Sequence, residues 1–261
     1  MSDEEYSEGA DYDDEEPQER ERKQGMHWLN EPEEWAQHRT TVMMRVPPGT
    51  DFWRKTRTDD ISDNAPFYFL EVEGDFEVRV KVKANYDSPD DQAGIMIRED
   101  EENWTKLGIQ MVGDVPHMCA TVTHDYSDWS MHPLPHLPEY MWVHAKKIGD
   151  GLEVYISEDS FDWMQIRQGD IVDDAILQVG LYCASPNSDD GFEVEFTDFM
   201  IKYASVAFEC CCDVVVFCLT NSLDSISTGT KKDSRHCCCD EESEHEICER
   251  GRHRELFFKL S

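Results

Sequence analysis

Nine side chains of the kinds that recognise sugars are spread over and around the stretch DDQAGIMIREDEENWTKLGIQMV, residues 90–112. Sugar binding needs aromatic faces that stack on pyranose C–H groups, and amide, carboxylate or guanidinium groups that pair with hydroxyls. Both kinds occur here, and they make a set of candidate ligand-binding residues: Trp53, Arg54, Tyr86, Gln92, Arg98, Trp104, Lys106, Gln110 and Trp129. The alternative role is structural, with the tryptophans at the edge of a core and the two cations of the stretch paired to nearby carboxylates.

The spacing within residues 90–112 predicts two strands joined by the acidic turn EDEEN. Polar or small residues alternate with apolar ones on both sides of that turn. Because successive side chains of a strand point to opposite faces, each strand has one apolar face and one face that carries amides and charges. The polar face is the predicted binding surface, with Arg98 beside Gln92 and across from Lys106 or Gln110.

Carboxylates that could serve in glycoside hydrolysis occur near the end of the body, at Glu193 and Glu195. Hydrolysis needs two carboxylates about 5 to 9.5 Å apart in one cleft, and residues two apart on a strand are separated by roughly 6.5–7 Å. Alternating charge on an antiparallel strand is, however, more typical of a solvent-facing row. We therefore predict no catalytic residue.

Metal-binding patterns are weak as well. His132 and His136 have the spacing of helical zinc ligands, but Pro133 and Pro135 prevent a helix there. The polar clusters at 87–91 and 187–190 offer oxygen ligands suited to calcium, without the spacing of an EF-hand. We predict neither a metal site nor a cofactor.

Short alternating segments continue on both sides of the central stretch. The clearest is FEVRVKVKANY, in which Phe76 and the valines that follow alternate with charged residues. Turn residues separate about ten or more such segments, and none has convincing helical periodicity. The pattern predicts an all-β fold, a two-sheet antiparallel β-sandwich or jelly roll. Residues 59–66 and the Trp-, His- and Pro-rich segment 124–140 are predicted as loops.

Composition restricts the partners and the location. The chain has 57 acidic and 24 basic residues and a net charge of −33, which repels phosphate backbones and anionic lipid surfaces. We therefore exclude nucleic acid as a partner. No apolar run approaches the roughly 18 residues of a membrane span, and the first residues lack the features of a signal peptide. Only Cys119 and Cys183 lie in the body, so we expect a reducing, cytoplasmic location, and the pairing of these two cysteines is left open.

Three regions follow from changes in composition. Residues 1–25 hold eleven acidic residues and few large apolar ones, which predicts a disordered acidic leader. Residues 26–203 contain the alternating segments and form the predicted folded domain. Residues 204–261 hold eight cysteines, six of them in two adjacent triplets. That spacing suits neither disulfides nor zinc, and we predict a poorly ordered, Cys-rich tail, for which palmitoylation and redox or metal binding are alternatives.

Several motifs of the body together resemble a known family. They are WLNEPEEW (28–35), PGTDFWRKT (48–56), EVEGDFEVRVKV (71–82), YDSPDDQAGIMIREDEENWTKLGIQ (86–110), YSDWSMHPLP (126–135) and ASPNSDDGFEVEFTDF (184–199). In order and spacing they resemble the YesU-like domain-of-unknown-function family, which has the concanavalin A-like lectin/glucanase jelly roll. The resemblance covers residues 26–203 and implies two antiparallel sheets with a concave face. It implies no reaction.

The function favoured by these observations is a non-catalytic module that binds carbohydrate or a glycosylated ligand. One alternative is a glycan-active hydrolase that uses acidic residues of the concave cleft. Another is a protein-interaction sandwich without a small ligand. Two carboxylates that converge in a polar groove would favour the hydrolase, and a broad apolar patch without convergent polar groups would favour the interaction module. The sequence carries no signal for oligomeric state.

Overall fold

The computed structural model describes residues 25–171 and 175–203, and the backbone of one further strand at Leu256–Lys259. These residues form seventeen strands and no helix. Nothing in the described part could therefore cross a membrane as a helix. Two large antiparallel sheets contain nearly all the strands, which confirms the predicted all-β sandwich. The leader, apart from Gly25, and most of the Cys-rich tail lie outside the described residues.

The first sheet has seven strands, and each pairs with its neighbour in antiparallel orientation. Their spatial order is β1 (His27–Leu29), β6 (Phe67–Val72), β15 (Leu177–Ala184), β8 (Gln92–Arg98), β9 (Asn103–Val112), β10 (Val115–His124) and β11 (Tyr126–Pro133). The predicted central pair is thus β8 and β9, joined by a turn at residues 99–102.

The second sheet also pairs in antiparallel fashion along its whole width. Its spatial order is β14 (Met164–Asp170), β13 (Gly151–Ser157), β12 (Met141–Ile148), β7 (Phe76–Ala84), β16 (Phe192–Tyr203), β3 (Thr41–Val46) and β2 (Trp35–His38). The last residues of β16 pair in addition with β17 (Leu256–Lys259). This strand falls within the segment 204–261, where the sequence predicted no strand.

The main core lies between the two sheets and is formed by the apolar members of the alternating strands. Val78, Val80 and Val82 of β7 are at most 1% exposed, and Ile95 and Ile97 of β8 are fully buried in the same cluster. The other face of the first sheet points away from this core. We call it the outer face, and it carries the polar and small residues that the alternation predicted.

A two-stranded hairpin covers part of the outer face. It consists of β4 (Phe52–Arg54) and β5 (Ile61–Asp63) and pairs with neither large sheet. Phe52 is fully buried and packs with Phe67 and Trp104 in a second apolar cluster on the outer face. The prediction of a loop over residues 59–66 was therefore wrong for β5. Its three residues, Ile-Ser-Asp, are too few to show a period, and their pairing depends on a partner strand seven residues earlier.

The segment 124–140 was also predicted as a loop, and its first half is strand β11. Each residue from Tyr126 to Pro133 pairs with one on β10. Pro133 stands at the last position of this strand, where the lack of an N–H donor is tolerated in an edge strand. The prolines and histidines dominated the sequence pattern, although the prolines begin only where the strand ends.

Candidate functional site

The register of β8 and β9 fixes which side chains of the outer face are neighbours. Gln92 pairs with Gln110, and Arg98 pairs with Trp104. The prediction that Arg98 lies across from Lys106 or Gln110 was therefore wrong. Lys106 lies opposite Met96, which is two residues further from the turn than Arg98.

Arg98 and Lys106 hold the β4–β5 hairpin against the outer face. Arg98 is 6% exposed and donates two hydrogen bonds to the carboxylate of Asp63, at 2.6 and 3.0 Å. Lys106 is 4% exposed and donates to Asp51 at 3.0 Å and to the carbonyl of Phe52 at 2.6 Å. Both cations thus have internal partners, as the structural alternative for them required.

Arg54 has a similar role at the other end of the hairpin. Its guanidinium donates to the carboxylates of Glu102 at 2.8 Å and Asp125 at 2.9 Å. The hydrogen bond that Arg54 donates to Asp125 raises the pKa of Arg54, and Asp125 itself has a lowered pKa because Lys55 and Arg54 donate to it. The neighbouring Trp53 is partly buried, and its indole N–H donates to the carbonyl of Thr56 at 3.2 Å.

Amide groups and carboxylates meet at the opposite end of the central pair. Gln92 donates to Asp51 at 3.2 Å and to the carbonyl of Asp90 at 3.3 Å. Asp90 accepts from Gln110 at 3.0 Å and from Asn187 at 2.7 Å. We call Asp51, Asp90, Gln92, Gln110 and Asn187 the amide cluster. It joins β8, β9 and three loops into one hydrogen-bonded group.

One atom of the amide cluster is left without a partner. The side chain of Gln92 is 2% exposed, and its carbonyl oxygen Oε1 is buried and accepts no hydrogen bond from any described residue. Burying an unpaired amide oxygen costs about 1–3 kcal/mol in proteins. The outer face therefore holds an unused acceptor inside an otherwise paired network.

Two glycines beside the amide cluster leave the outer face without side chains. Gly94 and Gly108 pair directly. A Cβ on Gly94 would lie 2.0 Å from the carbonyl oxygen of Leu107, and a Cβ on Gly108 would lie 2.1 Å from that of Ala93. Only glycine fits at these positions, because the neighbouring backbone approaches too closely for any larger residue. The result is a floor of bare backbone, which we call the glycine floor.

Tyr182 and Cys119 flank the glycine floor, because Tyr182 pairs with Gly94 and Cys119 pairs with Gly108. Burial raises the pKa of both groups, that of Cys119 to about 11. Cys119 therefore remains a neutral thiol at neutral pH. Cys183 is also free and lies in the main core, so the two cysteines of the body do not pair.

The remaining aromatic candidates have three different environments. Trp129, on β11, is partly buried. Its buried indole N–H has no nitrogen or oxygen acceptor among the described residues, but it lies close to the thiol of Cys119, and this contact lowers the pKa of the thiol against the larger, opposite effect of burial. Trp104 is 4% exposed and belongs to the second apolar cluster. Tyr86 packs against the main core beside Phe192, with ring centroids 5.3 Å apart, and burial raises its pKa far above the usual range.

The structure thus brings Gln92, Lys106 and Gln110 together, with Trp129 two strands away from Lys106 across β10. It places Tyr86 on the main core and Trp104 in the second cluster, away from the amide cluster. Sequence reasoning missed Asp51 and Asp63 as partners of this face, because they lie in a loop and in the short strand β5. Asp90 and Asn187 lie in the two polar clusters that the sequence offered as calcium ligands, and here they hydrogen-bond to each other. The glycine floor could have been noticed, since both glycines occupy polar-face positions of the two predicted strands.

A separate groove of about 380 Å³ crosses the second sheet over β2, β3, β7 and β16. Glu193 and Glu195 both line it, opposite Arg45 and Lys83 on the adjacent strands. The two glutamates that the sequence singled out therefore share one groove. They lie on the opposite side of the sandwich from the amide cluster.

Comparison with known proteins gives a family without an assigned function. The family described as "Protein of unknown function (DUF1349)" matches residues 28–204. The chain is 28% identical over 174 residues to "Regulation of enolase protein 1" of Saccharomyces cerevisiae, which covers 67% of this chain and 87% of that protein.

Solved structures extend the comparison to the fold. A functionally unknown protein from Saccharomyces cerevisiae has a TM-score of 0.65 and 28% identity, over 67% of this chain and 95% of that chain. The GH43 protein BlXynB from Bacillus licheniformis has a TM-score of 0.51 and 13% identity, over 67% of this chain and 36% of that one. At this identity the second likeness concerns the fold alone.

Proposed function

We propose that this chain, which belongs to the DUF1349 family of proteins of unknown function, is a non-catalytic module that binds carbohydrate or a glycoconjugate. The observation that carries the proposal is the unpartnered oxygen of Gln92. It lies beside the glycine floor, on the face that also holds the indole N–H of Trp129, which contacts the weak sulfur acceptor of Cys119. A buried acceptor without a partner and a buried donor on a weak acceptor are groups that a hydroxyl-bearing ligand would satisfy.

The chemistry of the face suits neutral hydroxyls. Different hydroxyls of an oligosaccharide can donate to Oε1 of Gln92 and accept from the indole N–H of Trp129, which lies three strands away, while the ring of Trp129 offers an apolar face. Arg98 and Lys106 are already paired with carboxylates, so neither provides a free charge for an anionic sugar. The rim of the site, Asp90 and Asn187, is solvent-accessible and adds a carboxylate and an amide.

The nine candidate residues then divide by role. We propose that Gln92, Gln110 and Trp129 contact the ligand, and that Lys106 supports the loop carrying Asp51. Arg54 and Arg98 position the β4–β5 hairpin. Trp53, Tyr86 and Trp104 remain proposals as ligand residues, with packing as their observed role. The closer likeness to YesU-like members and a cytoplasmic location likewise remain predictions.

A glycan microarray probed with the full chain tests this function. Trp129→Phe keeps an aromatic ring but removes the N–H, so we expect binding to the best array glycan to weaken roughly tenfold, or about 1.4 kcal/mol. Trp163→Phe is the matched control, because Trp163 lies by the second sheet with its N–H bonded to Ser160. Absence of any bound glycan, or equal binding by Trp129→Phe, would contradict the proposal.

A hydrolase is the second candidate, favoured by the position of Glu193 and Glu195 in the groove of the second sheet. A reducing-sugar assay on the same array glycans decides between the two. Product release that is abolished by Glu193→Gln or Glu195→Gln would support catalysis. Glycan binding without product release would leave the module non-catalytic.

A further inference from the structure

The outward row of β7 carries two cations that form no ion pair with a described carboxylate. Arg79 and Lys81 lie two residues apart on the solvent-facing side of the second sheet. The chain has more than twice as many acidic as basic residues, yet no described carboxylate forms an ion pair with either cation. The nearest acid on the same row, Glu77, approaches His144 instead, at 3.5 Å.

Aromatic rings hold these cations in place. The guanidinium of Arg79 lies 5.8 Å from the ring centre of Trp142, and the ammonium of Lys81 lies 3.9 Å from that of Tyr140. The Nε atom of Arg79 is buried and has no acceptor among the described residues. Cation–π contacts orient the charges without neutralising them, so neither cation has a counterion within residues 25–171 and 175–203.

More aromatic side chains continue the surface across the next strands. The ring of His144 contacts those of Tyr155 and Trp163, with centroids 5.7 and 5.2 Å apart. Burial lowers the pKa of His144, and Arg79 adds to this effect while Glu77 opposes it. His144 is therefore a neutral ring at pH 7. Tryptophan, tyrosine and arginine are the residues enriched at the energetic centres of protein interfaces.

We propose that this surface, formed by Arg79, Lys81, Tyr140 and Trp142 with Tyr155 and Trp163 beside them, binds an acidic segment of a partner protein. The two cations lie on alternate positions of a strand, roughly 6.5–7 Å apart. Carboxylates on alternate residues of an extended segment have the same spacing. A sheet face is flat, which suits a peptide segment better than a small molecule, since small-molecule sites are concave.

The surface is independent of the carbohydrate site. It lies on the second sheet, whereas the amide cluster and the glycine floor lie on the outer face of the first. Failure of glycan binding would therefore leave this proposal unaffected. It is also separate from the 380 Å³ groove, whose lining includes neither Arg79 nor Lys81.

Fluorescence anisotropy with a labelled peptide of alternating Glu and Tyr tests the proposal on the full chain. The wild type should bind this peptide and should not bind the matching Gln–Tyr peptide. Arg79→Met and Lys81→Met keep apolar stems over the rings, and each should weaken binding about tenfold, or about 1.4 kcal/mol. Lys83→Met is the matched control, because Lys83 is on the same strand but already paired with Glu139 at 3.1 Å.

The remaining outcomes decide the proposal as well. Should Arg79→Met fail to fold, Arg79→Lys retains a cation and is expected to lose part of the affinity. No binding by the wild type at low salt would overturn the proposal. Equal weakening by Lys83→Met would do the same, because the effect would then come from overall charge. Competition by inorganic phosphate beyond its ionic-strength effect would also overturn it, by making the surface a general anion site.

Discussion

Arg98 and Asp63 form a bidentate ion pair between the central strand and the β4–β5 hairpin. Asp63 retains some solvent contact, with 32% of its side chain exposed, whereas Arg98 is nearly buried. Removing Arg98 therefore leaves a partly buried carboxylate without its partner and detaches one end of the hairpin. Sequence alone could not decide between a binding and a structural role for Arg98, because Asp63 lies 35 positions away in the chain.

We expect Arg98→Ala to lower the free energy of unfolding by about 1–3 kcal/mol, because it breaks charge-assisted hydrogen bonds at a buried position. Urea denaturation measures the change. The double variant Arg98→Ala/Asp63→Ala should lose less than the sum of the two single changes, since it leaves no unpaired charge. An unchanged unfolding midpoint would show that the pair contributes nothing to the attachment of the hairpin.

The strands differ in how well their sequences predict them. β7, β8 and β9 have full alternating patterns, and both their faces were predicted correctly from residues such as Val80 and Ile95. β5 and β11 were missed, because their short or mixed patterns become strands only through pairing with β4 and β10. Tertiary pairing therefore supplies what the local pattern lacks.

The β4–β5 hairpin should depend on one side chain for its position. Phe52 is fully buried against Phe67 and Trp104, and Phe52→Ala should cost about 3–5 kcal/mol because it opens a cavity in the second apolar cluster. In Phe52→Ala, the backbone amides of β4 and β5 should exchange hydrogen faster than in the wild type, whereas those of β7 should change less. Ile61→Ala is the control, since Ile61 is 54% exposed. Unaltered protection of the hairpin in Phe52→Ala would contradict its role as the anchor.

At the scale of the whole molecule, the two outward faces of the sandwich differ in chemistry. The first sheet carries paired cations, amides and a glycine floor, and the second carries cations that lie on aromatic rings and form no ion pair with any carboxylate of the described part of the chain. The fold was predictable, because alternation and turns recur along the whole body. The site was predictable only in part. Gln92 and Gln110 follow from the strand pattern, whereas Asp51 and Asp90 reach them from loops whose positions depend on the folded chain.

The unpartnered oxygen of Gln92 is the centre of the carbohydrate proposal, and Gln92→Leu tests it most directly. Leucine has a similar size and removes the unused acceptor. It also removes the hydrogen bonds that Gln92 donates to Asp51 and Asp90, so the effect of the glycan on each protein is measured against that protein's own unliganded melt. The best array glycan, at about 100 times its dissociation constant, should stabilise the wild type by about 2.7 kcal/mol. Thermal denaturation with and without the glycan measures this stabilisation. The account predicts that Gln92→Leu loses most of this stabilisation at the same glycan concentration. An equal shift in both proteins would contradict it.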